Sequence, residues 1–159
     1  MLGRAGHCAA EIVMLSVIEE LTEDGVVLDA EHLRARIVDW RMRIDDLYRE
    51  IADWFPHLGA DRGDTTVMDE PVMRAYGVPP IRLPVLRLSE ADVEVGILVP
   101  RGLWIIGVNG RVDLSARNGQ FLIIDRSGLF AQPRWTIAPA LDRLAVEPLS
   151  RTTLAGAIQ

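Results

Sequence analysis

The sequence contains no lysine; all seventeen of its basic residues are arginine. Without lysine there is no P-loop amine to hold phosphate, no Schiff-base nitrogen and no Ser-x-x-Lys nucleophile, so composition alone excludes three kinds of chemistry. A G+C-rich genome, through its arginine codons, accounts for the bias. Cysteine is nearly absent: Cys8 stands alone, which forbids an intramolecular disulfide and cannot by itself supply a thiolate zinc site. No run of eighteen apolar residues occurs, so no ordinary transmembrane helix is expected. The three histidines, His7, His32 and His57, lack metal-ligand spacing, and neither a metal nor a cofactor is expected. The apolar stretch from Ile12 to Ile18 is approached through Glu11 and followed by Glu19 and Glu20, where a signal peptide would carry small cleavage-site residues. The reading is therefore a soluble, cytoplasmic chain with no membrane partner.

What remains is ordinary for a folded protein. The 159 residues are 49% hydrophobic and 25% charged, with a mean hydropathy of +0.16, enough for one core. They are read as a single domain over 1–159: a helical layer at 1–56, an irregular connection at 57–80, an antiparallel sheet at 81–149 and a short terminal helix at 150–159. The net charge of −6 is unevenly placed. Residues 1–75 carry sixteen acidic and eight basic side chains, for −8, and residues 76–159 carry seven and nine, for +2. Neither half concentrates a basic face of the kind that releases counterions from nucleic acid, which is disfavoured as a partner.

The pattern predicts an α+β fold with N-terminal helices packed on a C-terminal antiparallel sheet. Ala9 to Leu21 reads as a buried helix ended by Glu23-Asp24-Gly25. Asp29 is placed to cap a second helix, with Leu28 and Leu33 at the spacing of a hydrophobic staple. From there Leu33, Ile37, Trp40, Ile44, Leu47, Ile51 and Trp54 alternate steps of four and three along one seam, predicting a helix over about 30–55 that stops before Pro56. Arg41/Asp45, Asp45/Arg49 and Arg49/Asp53 are expected as ion pairs on its outer surface. Such a seam also suits a coiled coil, but its tryptophans are bulky, and Arg34, Arg36, Arg41 and Arg43 would face their own copies across a parallel dimer. Packing against the chain's own sheet is expected, with the protein a monomer or weak homodimer.

Residues 57–80, punctuated by Gly59, Gly63, Pro71, Gly77, Pro79 and Pro80, read as irregular apart from a short helix over Glu70–Ala75. Beyond them Leu103–Val108, Arg111–Ala116 and Phe121–Asp125 are separated by Asn109-Gly110 and Asn118-Gly119, predicting a three-stranded meander with tight turns. Two-residue turns place Ile105 opposite Leu114 and Leu114 opposite Ile123, with Leu103, Ala116 and Phe121 on the same core face. The other face mixes Trp104, Ile106, Leu122 and Ile124 with Arg111, Asp113 and Ser115, too apolar to stand freely in water. Pro84–Leu88, Asp92–Val99 and Arg134–Ile137 add strands, for a curved five- or six-stranded sheet or partial barrel. Ser150 caps a short helix over 151–157.

Catalytic groupings are missing. His7 and Cys8 are neighbours whose side chains diverge on a helix. Asp113 and Asp125 fall on opposite sheet faces, so they cannot share a reacting atom, and Asp113 is expected to pair with Arg111. Gly107-Val-Asn-Gly-Arg111 reads as a turn, since it lacks phosphate-loop spacing and a following helix. Aromatic and basic residues concentrate together only in the second half of the chain. The function expected is a non-enzymatic protein–protein interaction module, such as a bacterial accessory, adaptor or inhibitory protein, contacting another protein through Arg101, Arg111, Arg117, Arg126, Arg134, Trp104 and Trp135. The alternative is a small-ligand or nucleotide-binding domain, or an enzyme built on one, with Trp104, Arg111 and Asp113 lining a cleft between the long helix and the sheet.

Overall fold

A computed structural model describes residues 22–23, 25–105 and 108–159. The helix expected over Ala9–Leu21 lies outside these residues, as do His7, Cys8 and Ile106. A small hairpin, β1 (Thr22–Glu23) and β2 (Val26–Val27), leads into the long helix α1 (Ala30–Trp54). Its N-cap is Asp29, whose carboxylate accepts from the His32 amide at 2.7 Å, and Leu28 and Leu33 are both buried. The seam packs inward as expected: Leu33, Ile37, Trp40, Ile44, Leu47 and Ile51 are buried and Trp54 half-buried. Each such aliphatic side chain contributes roughly 1.5–3 kcal/mol of transfer free energy.

The buried face of α1 is wider than that seam, because Arg36, Arg43 and Tyr48 are buried too. Tyr48 donates to the Pro84 carbonyl at 2.9 Å and lies 3.3 Å from that of Leu98. Burial pushes its phenol far above the ordinary range, so it remains a donor at neutral pH. The outer ion pairs differ from those expected. Arg49 reaches Asp46 at 3.1 Å, and Arg62, a residue from another segment, takes Asp45 at 3.5 Å. Exposed pairs gain little from any one geometry, so sequence spacing does not decide among them.

Among the described residues seven antiparallel strands form one open sheet in the order β11–β10–β9–β8–β7–β6–β3. Its strands are β3 (Gly59–Asp61), β6 (Leu86–Glu90), β7 (Val93–Gly102), β8 (Arg111–Ala116), β9 (Gly119–Asp125), β10 (Trp135–Pro139) and β11 (Glu147–Pro148). A second hairpin pairs β4 (Thr65–Met68) with β5 (Ile81–Pro84) and encloses the short helix α2 (Pro71–Ala75). The connection over 57–80 is thus more regular than its glycines and prolines suggest. The stretch expected as one strand at Pro84–Leu88 is broken at Val85 between two sheets. The chain ends in α3 (Arg151–Ile158), capped by Ser150 and Thr153 in a reciprocal box.

The meander differs in register. The partner of β8 is not Leu103–Val108 but β7, with Leu98 opposite Leu114 and Gly102 opposite Arg111. Residues 103–105 and 108–110 lie in the connection, closed by an isolated bridge between Ile105 and Val108. Asn109-Gly110 is not a hairpin turn. Asn109 is buried and its amide donates to the Asp125 carbonyl at 2.8 Å, while the Asp125 amide donates to Gly110 at 3.1 Å, so this dipeptide prolongs the β8 edge. The β8–β9 turn is Arg117-Asn118, with Gly119 already paired to Ala116, which sets Leu114 opposite Phe121 instead of Ile123. That shift of two residues preserves the faces. Leu103, Leu114 and Ile123 lie in the core as expected, whereas Ile105 turns to the other side of the sheet.

Candidate functional site

The side of the sheet away from α1 carries the chemistry that the core does not absorb. Strand alternation sends Ile97, Val99 and Arg101 of β7 outward, with Arg111, Asp113 and Ser115 of β8, Leu122 and Ile124 of β9, and Thr136 and Ala138 of β10. Register aligns them in rows: Val99, Asp113, Leu122 and Ala138 are successive cross-strand partners, as are Arg111, Ile124 and Thr136. Leu122 and Ala138 are buried yet lie outside the core cluster, so this face has an apolar layer of its own.

Asp113 receives Arg111 through Nε at 2.6 Å and Nη2 at 3.1 Å, and also Arg101 at 3.1 Å. The expected Arg111–Asp113 pair is present. Arg126 donates through Nε to the Thr136 hydroxyl at 3.1 Å, and its remaining guanidinium nitrogens have no carboxylate partner among the described residues. The same holds for the exposed Arg143, on the connection between β10 and β11. Arg111, Arg126 and Arg143 rim a cavity of about 220 Å³ floored by Leu122, Ile124 and Ala138 and walled by Ile105 and Val108.

Residues 140–146 separate this cavity from a larger apolar groove of about 640 Å³, which runs between β10 and α3. On that connection Leu141 is 102% and Leu144 95% exposed, and Val146 is 38% exposed. Two leucines held wholly in water beside a groove are the clearest apolar surface among the described residues.

The sequence-predicted residues scatter over this arrangement. Arg101, Arg111 and Arg126 share the outer face; Arg117 sits in the β8–β9 turn, and Arg134 reaches back to the Arg126 carbonyl at 2.8 Å. Trp104 and Trp135 pack against the core, with Trp135 at 6.1 Å from Trp40. Arg111 and Asp113 face away from α1, so Trp104 does not join them in a helix–sheet cleft, and the helix–sheet interface is filled by Trp40, Ile44, Leu47 and Ile51. Sequence reasoning missed Leu141, Arg143 and Leu144. A short stretch with leucines three apart is common in any chain, and full exposure belongs to the tertiary structure.

Two further polar clusters hold segments together. Asp125, fully buried on the inner face, accepts Arg43 Nη1 at 2.7 Å and the amides of Ser127 and Arg134 at 2.9 and 3.0 Å. Asp113 and Asp125 thus lie on opposite faces, as expected. Near the start of α1, Glu23 takes Arg36 through two guanidinium nitrogens and His32 at 2.9 Å. Burial pushes Glu23 upward, but these hydrogen bonds and charges outweigh it and hold the carboxyl below its usual range. Glu70 accepts from the Leu103 and Trp104 amides at 3.2 and 3.4 Å, tying α2 to the β7–β8 connection. Arg36 Nη1, Trp40 Nε1, Trp104 Nε1 and Asn109 Oδ1 are buried without a hydrogen-bond partner among the described residues.

Burial raises the Glu70 pKa, and the two amides and Arg36 only partly offset it. A folded value above the unfolded one makes its contribution to stability greatest below the ordinary value of 4.5 and lost as pH rises through the folded value. Glu70→Gln removes the buried charge and keeps an acceptor oxygen for one of the two amides, which in the parent use different carboxylate oxygens. Urea midpoints measured over about pH 4 to 8 are expected to fall less steeply above the carboxylate range in the variant than in the parent. Parallel curves would show that Glu70 is not the titrating group.

Among the described residues no three His, Cys, Asp or Glu side chains are grouped to hold a metal, and no helix is long and apolar enough to cross a membrane. Comparison with protein-family models, with curated proteins and with solved structures finds no match.

Proposed function

We propose that the protein is a non-enzymatic interaction module that binds an acidic surface of another protein through residues 140–146 and the adjoining arginine edge of the sheet. The observation that carries this reading is the pair Leu141 and Leu144, wholly exposed on either side of Arg143. Burying two leucines would supply an apolar centre, and Arg126 and Arg143 a charged rim that selects and steers an acidic partner. The positive balance of residues 76–159 within an acidic chain fits the same polarity.

The test begins with a partner captured from the native host and purified, and then measures its affinity for variants. Leu141→Asp/Leu144→Asp and, separately, Arg126→Glu/Arg143→Glu are each expected to weaken binding at least about tenfold, or 1.4 kcal/mol. Arg34→Glu, on the solvent face of α1, is expected to leave affinity within about twofold, since an exposed charge away from the contact contributes little. A partner that binds both double variants like the parent would rule this surface out.

A further inference from the structure

We infer that the cavity of about 220 Å³ on the outer sheet face is a binding site for a carboxylate carried on a small apolar group. The inference shares Arg126 and Arg143 with the interface proposed above but does not depend on it, because a pocket ligand can bind whether or not a protein does.

The size sets the class of ligand. The cavity holds about seven waters' worth of liquid and falls below the range of drug-sized ligands, so it suits a single ring or a branched aliphatic group. The chemistry of the lining sets its charge. The floor of Leu122, Ile124 and Ala138 offers an apolar body nothing but contact and the release of water. Among the described residues no acidic side chain lines the cavity, whereas three arginines do.

Those arginines are not equivalent. Arg111 is engaged through two nitrogens by Asp113, which neutralises it and leaves it a wall. Arg126 is held at Nε by the Thr136 hydroxyl, which itself contacts the Ile124 carbonyl at 3.3 Å, so its terminal nitrogens are oriented before any ligand arrives. Arg143 is exposed and has no acid partner among the described residues. Two guanidinium forks beside an apolar floor match the planar, bidentate geometry of a carboxylate. An uncharged ligand of the same shape forgoes the charge assistance of those hydrogen bonds.

Benzoate and its neutral isostere benzamide separate charge recognition from simple filling of an apolar hollow. Titration of the protein with benzoate, followed by methyl resonances of Leu122 and Ile124, is expected to give saturable shifts, with benzamide at least tenfold weaker. Arg143→Gln and Arg126→Gln are each expected to weaken benzoate at least fivefold, and Arg34→Gln to leave it unchanged. Equal affinity for benzoate and benzamide, or full affinity in Arg143→Gln, overturns the proposal. Arg143 is exposed, so that variant tests the site without threatening the fold.

The carboxylate can come from a free acid or from the end of a protein chain. A peptide ending in leucine with a free carboxylate, compared with the same peptide amidated, distinguishes these sources. Tighter binding of the free-ended peptide than of benzoate assigns the site to a chain terminus, and the reverse assigns it to a small acid. Loss of the protein interface in the leucine variants leaves the benzoate titration intact, so the two readings fail separately.

Discussion

Gly110→Ala is expected to lower stability by about 3–5 kcal/mol, combining backbone strain with overpacking. The residue has φ +118°, a conformation in which a Cβ would eclipse the preceding carbonyl carbon. The methyl would also lie 2.5 Å from Cη2 and 2.9 Å from Cε3 of Trp40. That indole cannot step aside cheaply, because it is fully buried and stands 6.1 Å from Trp135. Denaturant midpoints measure the loss. Pairing the change with Trp40→Leu gives a check on cause: relief of the clash makes the double variant lose less than the sum of the two single losses. A drop below about 1 kcal/mol in Gly110→Ala would mean that neither the backbone angle nor the close approach holds in solution.

Asp125→Ala is expected to cost about 3–5 kcal/mol, because it leaves the Arg43 guanidinium buried with a smaller share of its partners. Arg43 is 4% and Asp125 0% exposed. Arg43 also donates to Asp39 at 2.6 Å, to Ser127 at 3.0 Å and to the Ala131 carbonyl, so it binds the middle of α1 to residues 126–134. Removing the carboxylate strands the amides of Ser127 and Arg134 as well. Asp125→Asn is expected to be milder, since an amide oxygen can serve those two amides. Hydrogen exchange at Ser127 and Arg134 reports the local effect, and faster exchange there in Asp125→Ala is the expected result. Arg126 projects from the same segment, so this buried pair steadies one of the two arginines proposed to meet a carboxylate.

The two predictions rest on features that the sequence discloses to different degrees. The seam of α1, the Asp29 cap, the Ser150 cap and the alternation of β8 and β9 are local. Each is set by spacing within one element, and each is found in the structure. Asn109-Gly110 was misleading because a dipeptide suited to a two-residue turn is equally suited to a buried bend where glycine lets an indole approach. Conversely, the β6–β7 turn, Ala91-Asp92, carries φ values of 48° and 63° without glycine or asparagine, and Asp92 is its single residue suited to such angles. Arg36 and Arg43 flank the seam and read as surface residues; Glu23 and Asp125 explain their burial, and those partners lie 13 and 82 residues away.

The candidate site was legible in part. Arg111 with Asp113, and the outward aspect of Leu122 and Ile124, followed from alternation in two strands. Arg143, Leu141 and Leu144 did not, because their importance comes from exposure and from the hollows on either side of them.

By itself the sequence determined the helix-then-sheet order, the inward stripe of α1 and the absence of lysine chemistry, since these depend on composition and on periods of 3.6 and 2 residues. Tertiary structure alone decided which strand pairs with β8, which arginines are buried and which leucines remain in water. Those outcomes depend on long-range partners competing for the same backbone and side-chain groups, and local spacing carries no record of that competition.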